Sequence, residues 1–193
     1  MRKMMVSTFL SLDGYMVGPE GERDMGWYMD TLTPDMGLEF AATQAQQDTM
    51  LLGKKTYELF AQYWPEQPDA NPAARFINHI TKVVVSSTLE EAPWGNDHNA
   101  TLMRGNLAEE VTRLKQQPGK DIVLPGSASI VQQLTRFGLI DEYQLFIEPI
   151  LLGGGRLLFN LGDRQQLKLI RAKAFQSGAV VLYYQPVEAK GKR

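Results

Sequence analysis

The residues predict an α/β fold: a mixed, mostly parallel sheet with helices on both faces and an antiparallel hairpin at the C-terminal end. Three observations carry this. Strand-like and helix-period segments alternate through the middle of the chain, which implies parallel neighbours joined by crossover helices. Two strand-like runs close the chain around Gln176-Ser177-Gly178, which implies at least one antiparallel edge. The 193 residues are 44% hydrophobic and 22% charged, the size and composition of one globular core. Residues 1–187 read as a single domain, and residues 188–193 as a disordered basic tail.

The elements follow in order. Met4 to Leu12 is apolar and β-branched enough for a first strand. Residues 13–27, "DGYMVGPEGERDMGW", hold four glycines and one proline and read as a long loop of the kind that forms lids. Leu38, Ala41, Ala42 and Ala45 recur at helical spacing, so the spacing predicts a helix over 36–48. "TMLLG", 49–53, is a short buried strand. Tyr57, Phe60, Ala61 and Trp64 give a second helix, which Pro65 ends. Asn71 and Pro72 open a third, running to residue 80. "KVVVSS", 82–87, is a strand and "ATLM", 100–103, a weaker one. Leu107, Val111 and Leu114 mark a helix stopped at Pro118-Gly119. Residues 121–138 read as strand, glycine turn and helix, with Gly138 past the end. Residues 141–152 read as a strand, 153–159 as a glycine turn, and 166–174 with 178–186 as the closing hairpin.

The composition excludes several chemistries. The formal charge of −2 offers no basic field for nucleic acid. There is no cysteine, which removes disulfides, thiolate metal sites and cysteine nucleophiles. His79 and His98, the two histidines, lack metal-ligand spacing and read as surface residues, so no metal is expected. No stretch approaches the ~18 apolar residues of a membrane span. The N-terminus reads as a strand rather than a signal peptide, which suits a cytoplasmic protein.

Two strand-to-helix turns carry special residues. Gly53-Lys54-Lys55-Thr56 places two cations and a hydroxyl where a helix begins. A helix N-terminus has unpaired N–H groups and a positive dipole end, so this is either a capped helix with solvated lysines or an anion site. Gly126-Ser127-Ala128-Ser129 is the second turn, either ordinarily capped or in contact with phosphate. Ser86, Ser87 and Thr88 put three hydroxyls at a strand end. If the strands are parallel, all three turns share one edge of the sheet, where open α/β sheets bind ligands. Phosphate contacts without a nucleophile or metal point to a cofactor that carries the reactive group itself.

"STFLSLDGYM", "LLGKKTYE", "VVVSSTLE", "DIVLPGSASIVQQLTRFGLIDEYQLFIEPILLGGGRLLF" and the closing hairpin resemble, in this order, the dihydrofolate reductase-like family. The nearest branch resembles the reductase domain of the bifunctional riboflavin-biosynthesis deaminase-reductase and its stand-alone bacterial relatives. The resemblance implies a mixed eight-stranded sheet and NADPH as cofactor. It implies that Gly53, Lys54, Lys55 and Thr56 grip the 2′-phosphate and pyrophosphate, with the lysines selecting NADP over NAD. It places Ser86, Ser87 and Thr88 beside the adenosine ribose, and Gly126, Ser127, Ala128 and Ser129 under the pyrophosphate and nicotinamide ribose. A Gly-Gly pair sits there in dihydrofolate reductase; here it is Gly-Ser.

On the substrate side, dihydrofolate reductase carries an acid on its first helix. The matching place falls near Gly37, with Asp35 and Glu39 to either side, and neither matches. Asp13 and Trp27 are candidates near the nicotinamide, Asp13 otherwise being a turn residue and Trp27 a lid anchor or core. Glu148, Gly153 and Gly154 lie where relatives close the substrate pocket, although three glycines also mark a tight crossing of chains. Arg156 and Arg75 are the cations available for a phosphorylated substrate. The resemblance implies a reductase of the 5-amino-6-(5-phosphoribosylamino)uracil type. Dihydrofolate reductase-type activity, a non-catalytic NADP-binding protein and a ligand-free interaction domain are the alternatives. The exposed sheet edge and the relatives imply a homodimer.

Overall fold

The computed structural model describes residues 1–160, 162 and 164–187; the expected basic tail, 188–193, lies outside the described residues. The strands are β1 (Met4–Ser11), β2 (Tyr15–Val17), β3 (Gln47–Gly53), β4 (Thr81–Val85), β5 (Ala100–Met103), β6 (Asp121–Gly126), β7 (Glu142–Glu148), β8 (Arg156–Leu157), β9 (Leu167–Ala174) and β10 (Val180–Pro186). The helices are α1 (Pro34–Gln44), α2 (Lys54–Tyr63), α3 (Pro72–His79), α4 (Leu107–Gln116) and α5 (Ala128–Arg136). Eight strands form one sheet in the order β5-β4-β3-β6-β1-β7-β10-β9, and β2 pairs with β8 in a small separate sheet. β1, β3, β4, β5, β6 and β7 pair in parallel; β10 runs antiparallel to both its neighbours.

Strand alternation divides the core between the two faces. Met4, Val6 and Leu10 of β1, with Ile122 and Leu124 of β6, pack under Val111, Leu114, Val131 and Leu134 of α4 and α5. On the other face, Met50 and Leu52 of β3 meet Tyr57, Trp94 and the flank of α3. Further along that face, Phe146 of β7 meets Met36, Phe40 and Phe9 near α1. α1 and α2 therefore cover different parts of one face.

Several bounds differ from those the spacing predicts. α1 starts at Pro34 and ends at Gln44 because β3 begins at Gln47, paired with Asp121 of β6. β7 stops at Glu148, where Pro149 removes a ladder donor. The loop 13–27 contains β2 and opens into a 3₁₀ turn over Gly26–Thr31.

Lys82 in β4 is fully buried. Its ammonium donates to the Asn78 carbonyl and to Asn99 Oδ1 at 3.2 Å, and lies 4.3 Å from the centre of the Trp94 ring. Burial pulls it down to about 8 against the attraction of Asp97. Between about pH 8 and its ordinary value near 10.4, the native state has shed a proton that the unfolded state keeps. This group therefore makes stability rise with pH across that window. The rise is expected to vanish in Lys82→Met, as measured by urea denaturation of both proteins from about pH 7 to about pH 10.

Candidate functional site

β3, β4 and β6 are parallel neighbours, so their C-terminal ends share one edge. Gly53 registers with Val85, and Leu52 with Gly126. The two glycine turns are in contact: a Cβ on Gly53 would lie 2.2 Å from Ser127 Oγ and 3.1 Å from Ser127 N. A Cβ on Gly126 would lie 3.0 Å from Thr56 Oγ1 and 3.2 Å from Met16 Cε. Glycine at both places lets two backbones approach each other and leaves them bare toward a ligand. The Gly126–Ser127 peptide bond is cis, and Ser127 Oγ lies 3.1 Å from Ser129 Oγ. Ala128 is buried as the first residue of α5.

The third turn joins this pair. Lys54 Nζ donates to Thr88 Oγ1 at 2.9 Å, and Ser86 Oγ accepts from the backbone N–H groups of Thr88 and Leu89. Ser87 stands exposed between them. α2 and α5 both start at this edge, and neither has a side-chain cap. By contrast, Asn71 caps α3 and Asn106 caps α4. The first-turn N–H groups of α2 and α5 thus have no side-chain acceptor, which suits an anionic ligand.

Lys55 turns the other way. Its ammonium is 2.8 Å from Glu22 Oε1, and the Arg156 guanidinium meets the same carboxylate oxygen. Glu22, Lys55 and Arg156 line a shallow, open cleft together with Met16, Thr56 and Ser127. All three charged side chains are more than a third exposed, so each pairing is worth at most about 1 kcal/mol. A phosphate reaching these cations displaces Glu22 at small cost. Arg75 instead donates to the Asp69 carbonyl at 3.1 Å.

The substrate-side candidates lie around the ends of β1 and β7. Asp13 is a clip: its carboxylate accepts from Ser11 Oγ at 2.6 Å, Leu152 N at 3.1 Å and Gly153 N at 2.8 Å. The Ser11 hydroxyl and those two backbone donors hold it at about 2, so it is ionised at neutral pH and has no proton to give. Gly154 lies against Pro19: a Cβ there would be 3.5 Å from the proline. Trp27 packs edge-on against Tyr28, and its indole N–H is buried without a hydrogen-bond partner among the described residues. Glu148, opposite Ser11, is buried, and neither carboxylate oxygen has a hydrogen-bond partner among the described residues.

A family model of the RibD C-terminal domain matches residues 2–183. The chain belongs to this family. It is 37% identical to the uncharacterized protein YyaP of Bacillus subtilis (strain 168), over 95% of this chain and 94% of that one. The fold is shared with a diaminohydroxyphosphoribosylaminopyrimidine deaminase/5-amino-6-(5-phosphoribosylamino)uracil reductase from Thermotoga maritima. That likeness has a TM-score of 0.69 at 12% identity and covers 96% of this chain and 57% of that one. It is shared also with dihydrofolate reductase from Enterococcus faecalis complexed with NADP(H), with a TM-score of 0.66 at 13% identity over 95% and 96% of the two chains. In this RibD C-terminal domain, sequence reasoning passed over Glu22 and Tyr28. Glu22 is one of four acids in the glycine-rich loop, and no local signal separates it from its neighbours Glu20 and Asp24. Tyr28 lies flat on Phe9, with ring centroids 4.0 Å apart and planes 2° apart, a contact set by tertiary packing alone.

Among the described residues, no group of His, Asp and Glu side chains is arranged to hold a metal ion, and no helix is long and apolar enough to cross a membrane.

Proposed function

We propose that the protein is an NADPH-dependent reductase of a small heterocyclic substrate, of the 5-amino-6-(5-phosphoribosylamino)uracil reductase type. One observation carries this: the turns after β3, β4 and β6 meet at one sheet edge, with two uncapped helix starts, two bare glycines and two lysines. These residues fit a dinucleotide. Gly53, Gly126 and the first-turn N–H groups of α2 and α5 suit its diphosphate, and Lys54 with Thr88 and Ser86 suits the extra phosphate of NADP. The nicotinamide supplies the hydride when bound; the protein's residues bind, orient and exclude water. The family and the reductases that share the fold support the reading. A small-molecule substrate, a cytoplasmic setting, a single domain and a homodimer complete it.

The test is a titration of NADPH and NADH followed by turnover. Replacing Lys54 with alanine removes one exposed charge contact beside Thr88. The loss is about 1 kcal/mol, or about fivefold in NADPH affinity, with little change for NADH. Equal losses for the two dinucleotides would contradict the assignment of Lys54. Tight NADPH binding without oxidation by any pyrimidine or folate would favour a non-catalytic NADP-binding protein.

A further inference from the structure

Glu148 ends β7 directly opposite Ser11. By strand alternation its side chain shares a face with Phe146, whose ring contacts Phe9 and Phe40. It is 1% exposed, and neither carboxylate oxygen has a hydrogen-bond partner among the described residues. A buried carboxyl group left unpaired is costly and calls for an explanation. Thr31 is its neighbouring hydroxyl, but the Thr31 proton already goes to the Tyr28 carbonyl at 2.6 Å. The Thr31 oxygen can therefore accept a hydrogen bond from a protonated Glu148 but has no O–H free to donate one.

The surroundings favour the neutral form of this group. Burial raises Glu148 above the usual carboxyl range. The titratable group facing it from the 3₁₀ turn is the Tyr28 phenol, itself raised by burial, then by Tyr63 of α2 and by Glu148. From β1 the facing residue is Ser11, whose hydroxyl is bonded to the Asp13 carboxylate. None of these brings a cation to Glu148. The acids of α1 are engaged elsewhere: Asp35 accepts from Gln176 N, and Glu39 is held by Arg171, Lys173 and Tyr183. No residue of the 3₁₀ turn Gly26–Thr31 is fully buried, and its Tyr28 ring rests flat on Phe9.

We propose that Glu148 is the substrate-recognising group of the site. As a neutral acid it pairs through its O–H and C=O with the adjacent carbonyl and N–H of a cyclic amide. The amide belongs to a flat uracil-type ring that takes the place Tyr28 holds on Phe9. This deepens the reductase reading and rests on it. A neutral carboxyl offers one donor beside one acceptor, the complement of a lactam edge. A basic diaminopyrimidine edge takes up a proton and pairs best with an ionised carboxylate, which this burial disfavours.

Two variants separate recognition from folding. Glu148→Gln keeps one donor and one acceptor at every pH; Glu148→Ala removes both. Calorimetry uses 6-aminouracil and 2,4-diaminopyrimidine as probes, with and without NADP. The wild type is expected to prefer 6-aminouracil, with affinity falling as pH rises, at a slope approaching tenfold per unit above the Glu148 titration. Glu148→Gln binds 6-aminouracil without that slope, Glu148→Ala at least about tenfold more weakly, and NADP affinity is unchanged in both. Thermal denaturation gives an independent readout. The native wild type holds a proton that the unfolded chain releases above the ordinary carboxyl value, so its stability falls as pH rises through the window. Glu148→Gln should therefore melt higher than the wild type at about pH 8, with the gap closing toward about pH 5. Preference for diaminopyrimidine, unchanged 6-aminouracil binding in Glu148→Ala, or no binding of 6-aminouracil by the wild type at millimolar concentration overturns the proposal. Loss of NADP binding alone in the wild type strikes the reductase reading instead, and the NADP-free titration still decides this one.

Discussion

Replacing Gly155 with alanine is expected to lower the melting temperature by roughly 8–16 °C, a loss of about 4 kcal/mol. The reason lies in the crossing of two chain segments. A Cβ on Gly155 would sit 2.1 Å from the Val17 carbonyl oxygen and 2.7 Å from the Gly18 carbonyl carbon. Both atoms are backbone, so no side-chain rotation relieves the overlap. The φ of +115° is also unfavourable for any residue with a Cβ. Relief requires parting β2 from β8, where Tyr15 registers with Leu157 and Val17 with Arg156. Arg156 follows Gly155 and meets Glu22, so the same displacement disturbs the cleft beside Lys55. Gly153→Ala is the control. Gly153 has φ +68° and nothing within 4 Å of a Cβ, so alanine there is expected to cost only about 1–2 kcal/mol. Differential scanning calorimetry of both variants decides the matter, and equal melting temperatures would refute the crossing argument.

These neighbouring glycines show what a sequence reveals and what it hides. "GGGR" announces special backbone, yet nothing local tells Gly153 from Gly155, because the difference is the approach of residues 17 and 18 from far along the chain. The same holds for β2 and β8, strands of three and two residues too short for a period to register. The shared edge of the three turns was legible for the opposite reason. Alternating strands and helices imply parallel pairing, and parallel pairing brings Gly53, Ser86 and Gly126 to one edge whatever the details. α1 is shorter than its alanine spacing predicts because β3 pairs with β6 from Gln47 onward, and the strand ladder takes those residues. The position of Glu148 was readable from "IEPILLGGG". Its lack of partners was not, since that depends on where Thr31 sends its proton. Asp13 looked like chemistry in "SLDGYM", and only its three donors show it to be a clip between β1 and the segment after β7.

Glu39→Ala is expected to cost about 3 kcal/mol and about 6–12 °C in melting temperature, while leaving NADPH affinity within about twofold. Glu39 projects from α1 onto the β10–β9 side of the sheet and is 6% exposed. Its carboxylate meets the Arg171 guanidinium and accepts from Lys173 Nζ at 3.1 Å and Tyr183 Oη at 2.6 Å. Tyr183 Oη in turn accepts from Gln144 Nε2 at 2.6 Å, and Gln144 Oε1 from Ser7 Oγ at 2.7 Å. One carboxylate thus organises a chain of hydrogen bonds across β9, β10, β7 and β1. Removing it leaves the Tyr183 O–H without its acceptor in the interior, whereas Arg171 and Lys173 are more than a third exposed and recover water, which keeps the loss at the low end for a broken buried pair. Burial alone would raise Glu39, but the bonds from Arg171, Tyr183 and Lys173 outweigh it and hold the group at about 2. Between about 2 and the ordinary value near 4.3, the unfolded chain binds a proton that the native protein refuses. The stabilisation is therefore complete above that window and fades as pH falls through it. The gap between wild type and Glu39→Ala should narrow steadily from about pH 5 to about pH 2 in urea titrations. A gap independent of pH would show that packing, not charge, makes Glu39 matter. A large loss of NADPH affinity in a folded Glu39→Ala would return this acid to the site, against its place among Tyr183, Gln144 and Ser7, four residues short of the β1 edge.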